Sequence, residues 1–192
     1  MMNDPDHLPI SSPLYSARLK LRLLEATDAL PMYELLQEAQ ISQNVLNIPH
    51  PYPMEKAESF IASAQEANIE GVQYSWAILT QEAETFVGVI SLVINWQHWR
   101  GALGYWVGKP YWSLGYMSEA VQRAIAFGFQ DLELNRIHAE CFVENIGSAR
   151  VMEKAGMRRD GTLREYVFQE ATGRFRDLHH YSILKSEYHP PA

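Results

Sequence analysis

The 192 residues contain one cysteine, Cys141. A single thiol excludes an internal disulfide framework and any multi-cysteine metal site, and it fits a reducing compartment. The 7 histidines fall in neither H-E-x-x-H nor another ligand spacing, so no metal is expected. Long apolar runs are missing as well: FVGVISLVIN falls well short of the about 20 residues a bilayer-crossing helix needs. Basic charge is scarce, with 16 Lys and Arg against 23 Asp and Glu and a net charge of −7, which argues against a nucleic-acid surface, because phosphate backbones need clustered cations. The N-terminus, MMNDPDHLPISSP, lacks the basic start and apolar block of a secretory signal. A cytoplasmic location, away from membrane and nucleic acid, is expected.

What is present is an ordinary folding composition, 47% apolar and 11% aromatic. It predicts a loose lead over residues 1–13, one domain over 14–188 and a tail over 189–192. Acid is densest between Glu25 and Glu70, where Lys56 is the only base. That run is either a solvated helix surface or a rim that attracts a cation.

RLKLRLL (residues 18–24) alternates charged and apolar side chains and reads as a half-buried strand. Thr27 is placed to cap a helix over roughly 28–39, with Leu30, Tyr33, Leu36 and Leu35 as its apolar side. Three prolines, Pro49, Pro51 and Pro53, force an extended link before a second helix ending near Asn68. VQYSWAIL and TFVGVISLVINW flank a polar QEAE turn as a hairpin, and ALGYWVG is a further strand. A helix from about Ser118 to Asp131, the strand RIHAECFV, a helix stopped by Gly156, and two strands around an ATG turn complete the order. The pattern is a mixed α/β (α+β) domain with a central sheet of about seven strands flanked by about four helices.

PYWSLGYMSEAVQRAIAFGF passes from a strand end into a long apolar helix through a very short aromatic connection. A helix starting at Ser118 leaves its first N–H groups without intrahelical partners at the positive end of its dipole. An anion can supply those acceptors, and Gly115 lets the backbone approach it. Ser118 as an ordinary N-cap, with Glu119 answering the dipole, explains the same residues. At the next strand end, N-I-G-S at 145–148 reads as a helix cap. Arg150 and Lys154 share one face of the short helix that follows, either facing phosphates or solvent. On the strand 136–143, Ile137, Ala139, Cys141 and Val143 form one side, with Cys141 expected in the core; His138, Glu140 and Phe142 form the other.

WVGKPYWSLGYMSEAVQRAIAFGF, LNRIHAECFVENIGSARVMEKAGMRRDGTLREY and GRFRDLHHYSIL resemble, in order and spacing, the GNAT N-acetyltransferases, most closely their ribosomal-protein-acetylating (RimJ/RimL-like) branch. LRLLEATDAL and the HPYP-to-FIASA segment are similar to that branch's first strand and helices. The resemblance implies the GNAT acyl-CoA N-acyltransferase fold and acetyl-CoA as co-substrate. It assigns Trp106, Val107 and Gly108 to the pantetheine arm and thioester, Leu114, Gly115, Tyr116, Met117 and Ser118 to the pyrophosphate, and Asn145 to the arm. Arg150 and Lys154 would meet the phosphates. Ser148, or a tyrosine near it, would protonate the departing thiolate. Two positions depart from the family turn: Ser113 stands for its first glycine and Met117 for a small residue.

The base is expected to be Glu140, acting through a water, with His138 second; Glu140 pairing with a neighbouring arginine is the structural alternative. The acceptor is a primary amine, on a protein N-terminal residue, a polyamine or a small molecule, attacking directly in a ternary complex. It would enter near His50, Tyr52 and Trp76, aromatics that otherwise simply pack under the proline-rich link. A monomer or homodimer fits. The alternative function is a CoA-binding sensor or interaction module with the same fold and no turnover.

Overall fold

The computed structural model describes residues 13–170 and 172–189. Except for Pro13 and His189, the lead and tail expected from the sequence lie outside the described residues.

The leucines of LKLRL turn to one side, Leu19 and Leu21 losing all exposure, and form the second strand. A two-residue strand that the sequence did not announce, β1 (Leu14–Tyr15), pairs with this β2 (Leu19–Leu23), Leu14 lying opposite Leu21. The chain then adds β3 (Gln73–Thr80), β4 (Phe86–Asn95), β5 (Arg100–Val107), β6 (Arg136–Phe142), β7 (Arg158–Gln169) and β8 (Arg174–Leu184). They make one 8-stranded sheet in the order β1-β2-β3-β4-β5-β6-β8-β7. Every neighbouring pair is antiparallel except β5 and β6, which are parallel and joined by a crossover helix.

Helices α1 (Ala29–Leu36), α2 (Ala39–Asn44) and α3 (Met54–Ile69) cover one face through a core of Met32, Leu36, Ile61, Leu79 and Trp106. On the other face, α4 (Tyr116–Gln130) and α5 (Ile146–Lys154) pack Val121, Ile125, Phe127 and Met152 onto Trp76, Ile90 and Ile137. Each fully buried side chain of this size contributes about 1.5–3 kcal/mol relative to exposure. The mixed α/β fold expected from the sequence is therefore present, with one strand more than expected and α2 as an additional helix among the described residues.

Several local expectations are corrected. The first helix begins after a 3-10 turn, Ala26–Asp28, inside which Thr27 lies. The capping acceptor there is Asp28, which takes the Glu25 N–H at 2.8 Å and the two ends of Arg22 at 2.7 and 2.8 Å. In the helix that follows, Ala29, Met32 and Leu36 face the core while Leu30 remains 54% exposed. The long helix α4 opens at Tyr116 rather than Ser118, with Gly115 in the cap position.

Candidate active site

β5 and β6 are paired only from Arg100↔Arg136 to Leu103↔Ala139. Beyond that point Gly104–Val107 keeps β4 as a partner and Glu140–Phe142 keeps β8, but the two segments leave each other. A cavity of about 920 Å³ opens in the split. The Gly108 N–H donates to Val87 O at 2.9 Å, so alternation along an antiparallel pair turns Trp106 and Gly104 toward β4 as well. The main-chain groups aimed into the split are those of Tyr105 and Val107. The Val107 carbonyl is already met by the Trp112 indole N–H at 2.8 Å.

After the 3-10 turn Lys109–Tyr111, the backbone is left-handed at Ser113 (φ 63°) and again at Gly115 (φ 82°). Glycine adopts that region freely, whereas serine does so at a cost of about 1–2 kcal/mol. The first intrahelical bond of α4 is Glu119 N–H to Gly115 O at 3.2 Å. The amides of Tyr116, Met117 and Ser118 precede it, no side chain among the described residues caps them, and all three residues border the cavity. Ser118 is therefore not the N-cap. Glu119 does not serve these amides either, because its carboxylate is bound by Ser16 and Arg18.

A hydroxyl pair lies on the α4–α5 side of the split. Tyr105 Oη is 2.9 Å from Ser148 Oγ, and burial pushes the Tyr105 phenol far above its usual value, so it keeps its proton. The Cys141 thiol also contacts Ser148 and is pushed up to about 11, chiefly by burial; it is a poor nucleophile at neutral pH. Asn145 caps α5, its Oδ1 accepting from Ser148 N–H at 3.0 Å while its Nδ2 donates to Asn44 O at 3.1 Å. One side chain thus sets Ser148 and ties this loop to the end of α2.

Glu140 projects from the opposite face of β6, since neighbouring strand residues alternate. Its Oε1 is 3.0 Å from His180 Nδ1, and His180 Nε2 lies 3.7 Å from Asp160 Oδ2. Asp160 is in turn held by Arg136 at 2.6 Å. His138 stacks on His180 with ring centroids 5.2 Å apart. Burial, and then the neighbouring His180, hold the His138 imidazole below the usual 6.5. A proton donor pair and a carboxylate–imidazole pair therefore flank one gap from opposite faces of the sheet.

A family model described as an acetyltransferase (GNAT) domain matches residues 18–158. The chain belongs to the GNAT acetyltransferase family. Among GNAT relatives, the uncharacterized N-acetyltransferase p20 of Bacillus licheniformis is 31% identical over 91% of this chain and 97% of its own. A putative ribosomal-protein-serine acetyltransferase from Vibrio cholerae has a similar structure, with 26% identity, a TM-score of 0.74 and coverage of 91% of this chain and 98% of that one. RimL, a ribosomal L7/L12 α-N-protein acetyltransferase in complex with coenzyme A, shares the fold at a TM-score of 0.80 and 18% identity, covering 92% of this chain and 97% of its own.

Of the candidate CoA-binding residues, Trp106, Val107, Gly115, Tyr116, Met117, Ser118, Asn145, Arg150 and Lys154 border the same cavity as Glu140 and Ser148. Gly108 and Leu114 do not. Gly108 is packed under Leu35, whose Cδ2 an added Cβ would meet at 2.8 Å, and the Leu114 carbonyl is bound by Arg18 at 3.0 Å. Glu140 meets a histidine and not the arginine considered from the sequence.

Of the two readings offered for Tyr52 and Trp76, the packed one holds. Tyr52 is 5% exposed and Trp76 is in the core with Tyr74 and Phe127, and neither these nor His50 borders the cavity. The wall on that side is Ile41 and Asn44–Asn47, at the end of α2. The β7–β8 hairpin secures it, with Gln169 Nε2 on Gln43 O at 3.2 Å and Arg176 bound to Glu144 at 2.8 Å. No acid between Glu25 and Glu70 lines the cavity; among the described residues its carboxylates belong to Glu140 and Glu144. Tyr105 and His180 were missed from the sequence. Strand alternation around Trp106 signals Tyr105, whereas His180 has no local signal and reaches Glu140 only because β8 returns beside β6.

Proposed function

We propose that the protein transfers the acetyl group of acetyl-CoA to a primary amine by direct attack in a ternary complex, acting as a single acyltransferase domain over residues 14–188. The observation that carries this reading is the split between β5 and β6, with uncapped helix amides at one end and proton-handling groups on both faces. The donor set fits acetyl-CoA. The amides of Tyr116, Met117 and Ser118 suit a diphosphate, the free edge of β5 suits an extended pantetheine arm, and Arg150 and Lys154 stand beside them for the remaining phosphate. Acetyl-CoA supplies an activated acyl group on a good leaving group.

The protein's part is positioning, charge and protons. The Val107 N–H polarises the thioester carbonyl and stabilises the oxygen on which negative charge develops. Glu140, held by His180, removes a proton from the incoming ammonium through a water. Ser148, with Tyr105 behind it, returns a proton to the departing sulfur. Asn145 keeps Ser148 in place. The acceptor approaches along the Glu140 face between α2 and the β7–β8 hairpin, so that amine and thioester meet in the gap from opposite sides of the sheet. A protein N-terminal residue, a polyamine and a small amine all satisfy this chemistry, and the similarity to ribosomal-protein acetyltransferases favours the first.

Thiol release from acetyl-CoA, measured against N-terminal peptides, polyamines and small amines, tests the reading. Amine-dependent release of CoA is expected. Tight CoA binding with no release from any amine would instead mark a CoA-binding sensor, and oligomeric state can be read on the same preparation.

A further inference from the structure

Arg18 lies just before β2, 101 residues from its partner Glu119, outside the cavity lining. Its Nε donates to Glu119 Oε2 at 2.8 Å, its NH2 group lies 2.8 Å from the same oxygen, and its NH1 group donates to Leu114 O at 3.0 Å. The guanidinium carbon sits 4.8 Å from the centre of the Tyr116 ring. The head is fixed from behind, because the Arg18 N–H donates to Glu119 Oε1 at 2.7 Å and its carbonyl accepts from Gln81 N–H at 2.9 Å. Ser16 Oγ donates to that same Glu119 oxygen at 2.7 Å. Although burial acts to raise it, the Glu119 carboxyl is held below its usual value by the bonds from Ser16 and Arg18.

We propose that Arg18 is a positioning residue that clamps the turn before α4 in its anion-receiving shape, offsetting the left-handed backbone forced on Ser113; this rests on the acetyl-CoA reading above. The carbonyl it grips belongs to Leu114, the residue between the two left-handed positions Ser113 and Gly115. Fixing that peptide fixes the direction of the amides on either side. Serine resists the left-handed region where glycine would not, so the turn has an incentive to relax that glycine would not give it. The planar fork of arginine holds a carboxylate and a carbonyl at once, which a lysine ammonium on a flexible stem does less well. Each guanidine nitrogen has a partner within the protein and Arg18 lies outside the cavity lining, so the role proposed for it runs through the turn.

The test is a double-mutant cycle on CoA affinity by calorimetry, with wild type, Arg18→Ala, Ser113→Gly and the double variant, and with melting curves in parallel. Arg18→Ala is expected to weaken CoA binding by about tenfold, Arg18→Lys by less, and Ser113→Gly to restore most of the loss in the Arg18→Ala background while changing the wild type by less than about twofold. A structural role alone would lower the melting temperature and leave the two substitutions additive in CoA affinity. Additivity, or unchanged affinity in Arg18→Ala, overturns the clamp. If Arg18→Ala does not fold, Arg18→Lys with and without Ser113→Gly gives the same cycle. Failure of the wild type to bind CoA overturns the acetyl-CoA reading itself, and the clamp with it.

Discussion

Replacing Ser148 by alanine separates two roles that differ in size. The Ser148 hydroxyl meets Tyr105 Oη at 2.9 Å and contacts the Cys141 sulfur. Losing an orienting hydrogen bond is worth about 0.5–1.5 kcal/mol, or roughly two- to twelvefold in rate. Losing a general acid removes about 10²- to 10⁴-fold. The Asn145 cap uses the Ser148 backbone N–H, which alanine keeps, and the hydroxyl touches none of the turn amides. The expected result is a fall in kcat of at least about 100-fold with CoA affinity unchanged, because the acid acts only in the transition state. Tyr105→Phe is the companion. Burial keeps that phenol protonated, so if it only supports Ser148 its removal stays within about tenfold. Initial rates of thiol release, with CoA affinity measured separately, give both numbers. A kcat within tenfold of wild type for Ser148→Ala, or a matching loss of CoA affinity, refutes the assignment; a larger loss in Tyr105→Phe moves the acid to the phenol.

Gly115→Val places a β-branched residue at φ 82° with its Cβ 3.3 Å from Arg18 NH2, so CoA binding should disappear in calorimetry while the fold persists; retained affinity would mean the turn is not the diphosphate site. Glu140→Gln keeps a partner for His180 but cannot take a proton, and kcat should drop by about 100-fold or more with CoA affinity intact; steady-state rates near wild type would assign the base elsewhere. His138 should give an acid limb to stability. Its folded pKa lies below 6.5, so as pH falls through 6.5 the unfolded chain binds a proton that the folded one refuses, and stability present above that pH is lost. Melting temperatures from pH 8 to pH 5 should decline less steeply in His138→Gln, and parallel curves would remove His138 from that limb.

Periodicity made much of the fold legible. The leucines of LKLRL, the QEAE hairpin and the spacing of Val121, Ala124 and Ile125 each appear in the structure as strand, turn and helix face, because a local repeat of two or 3.6 already says which side will be buried. The start of the first helix was not legible, since the 3-10 turn before it is held by an Arg22–Asp28 pair that forms only when strand and turn meet. The sequence allowed Trp76 to be packed, but did not show that α4 rather than the proline-rich link covers it.

The candidate site divides in the same way. From the sequence alone came the polar cluster at 145–148, the alternation that separates Glu140 from Cys141, and a helix start with unanswered amides near Gly115, because each is a property of a few consecutive residues. Tertiary structure decided where β5 and β6 part, that Tyr105 stands behind Ser148, that His180 and not an arginine meets Glu140, and that Arg18 grips a turn about a hundred residues away. The reason is physical: a strand pairing that stops after four residues leaves no mark on either strand's own pattern, and contacts between distant segments exist only once the sheet has brought them together.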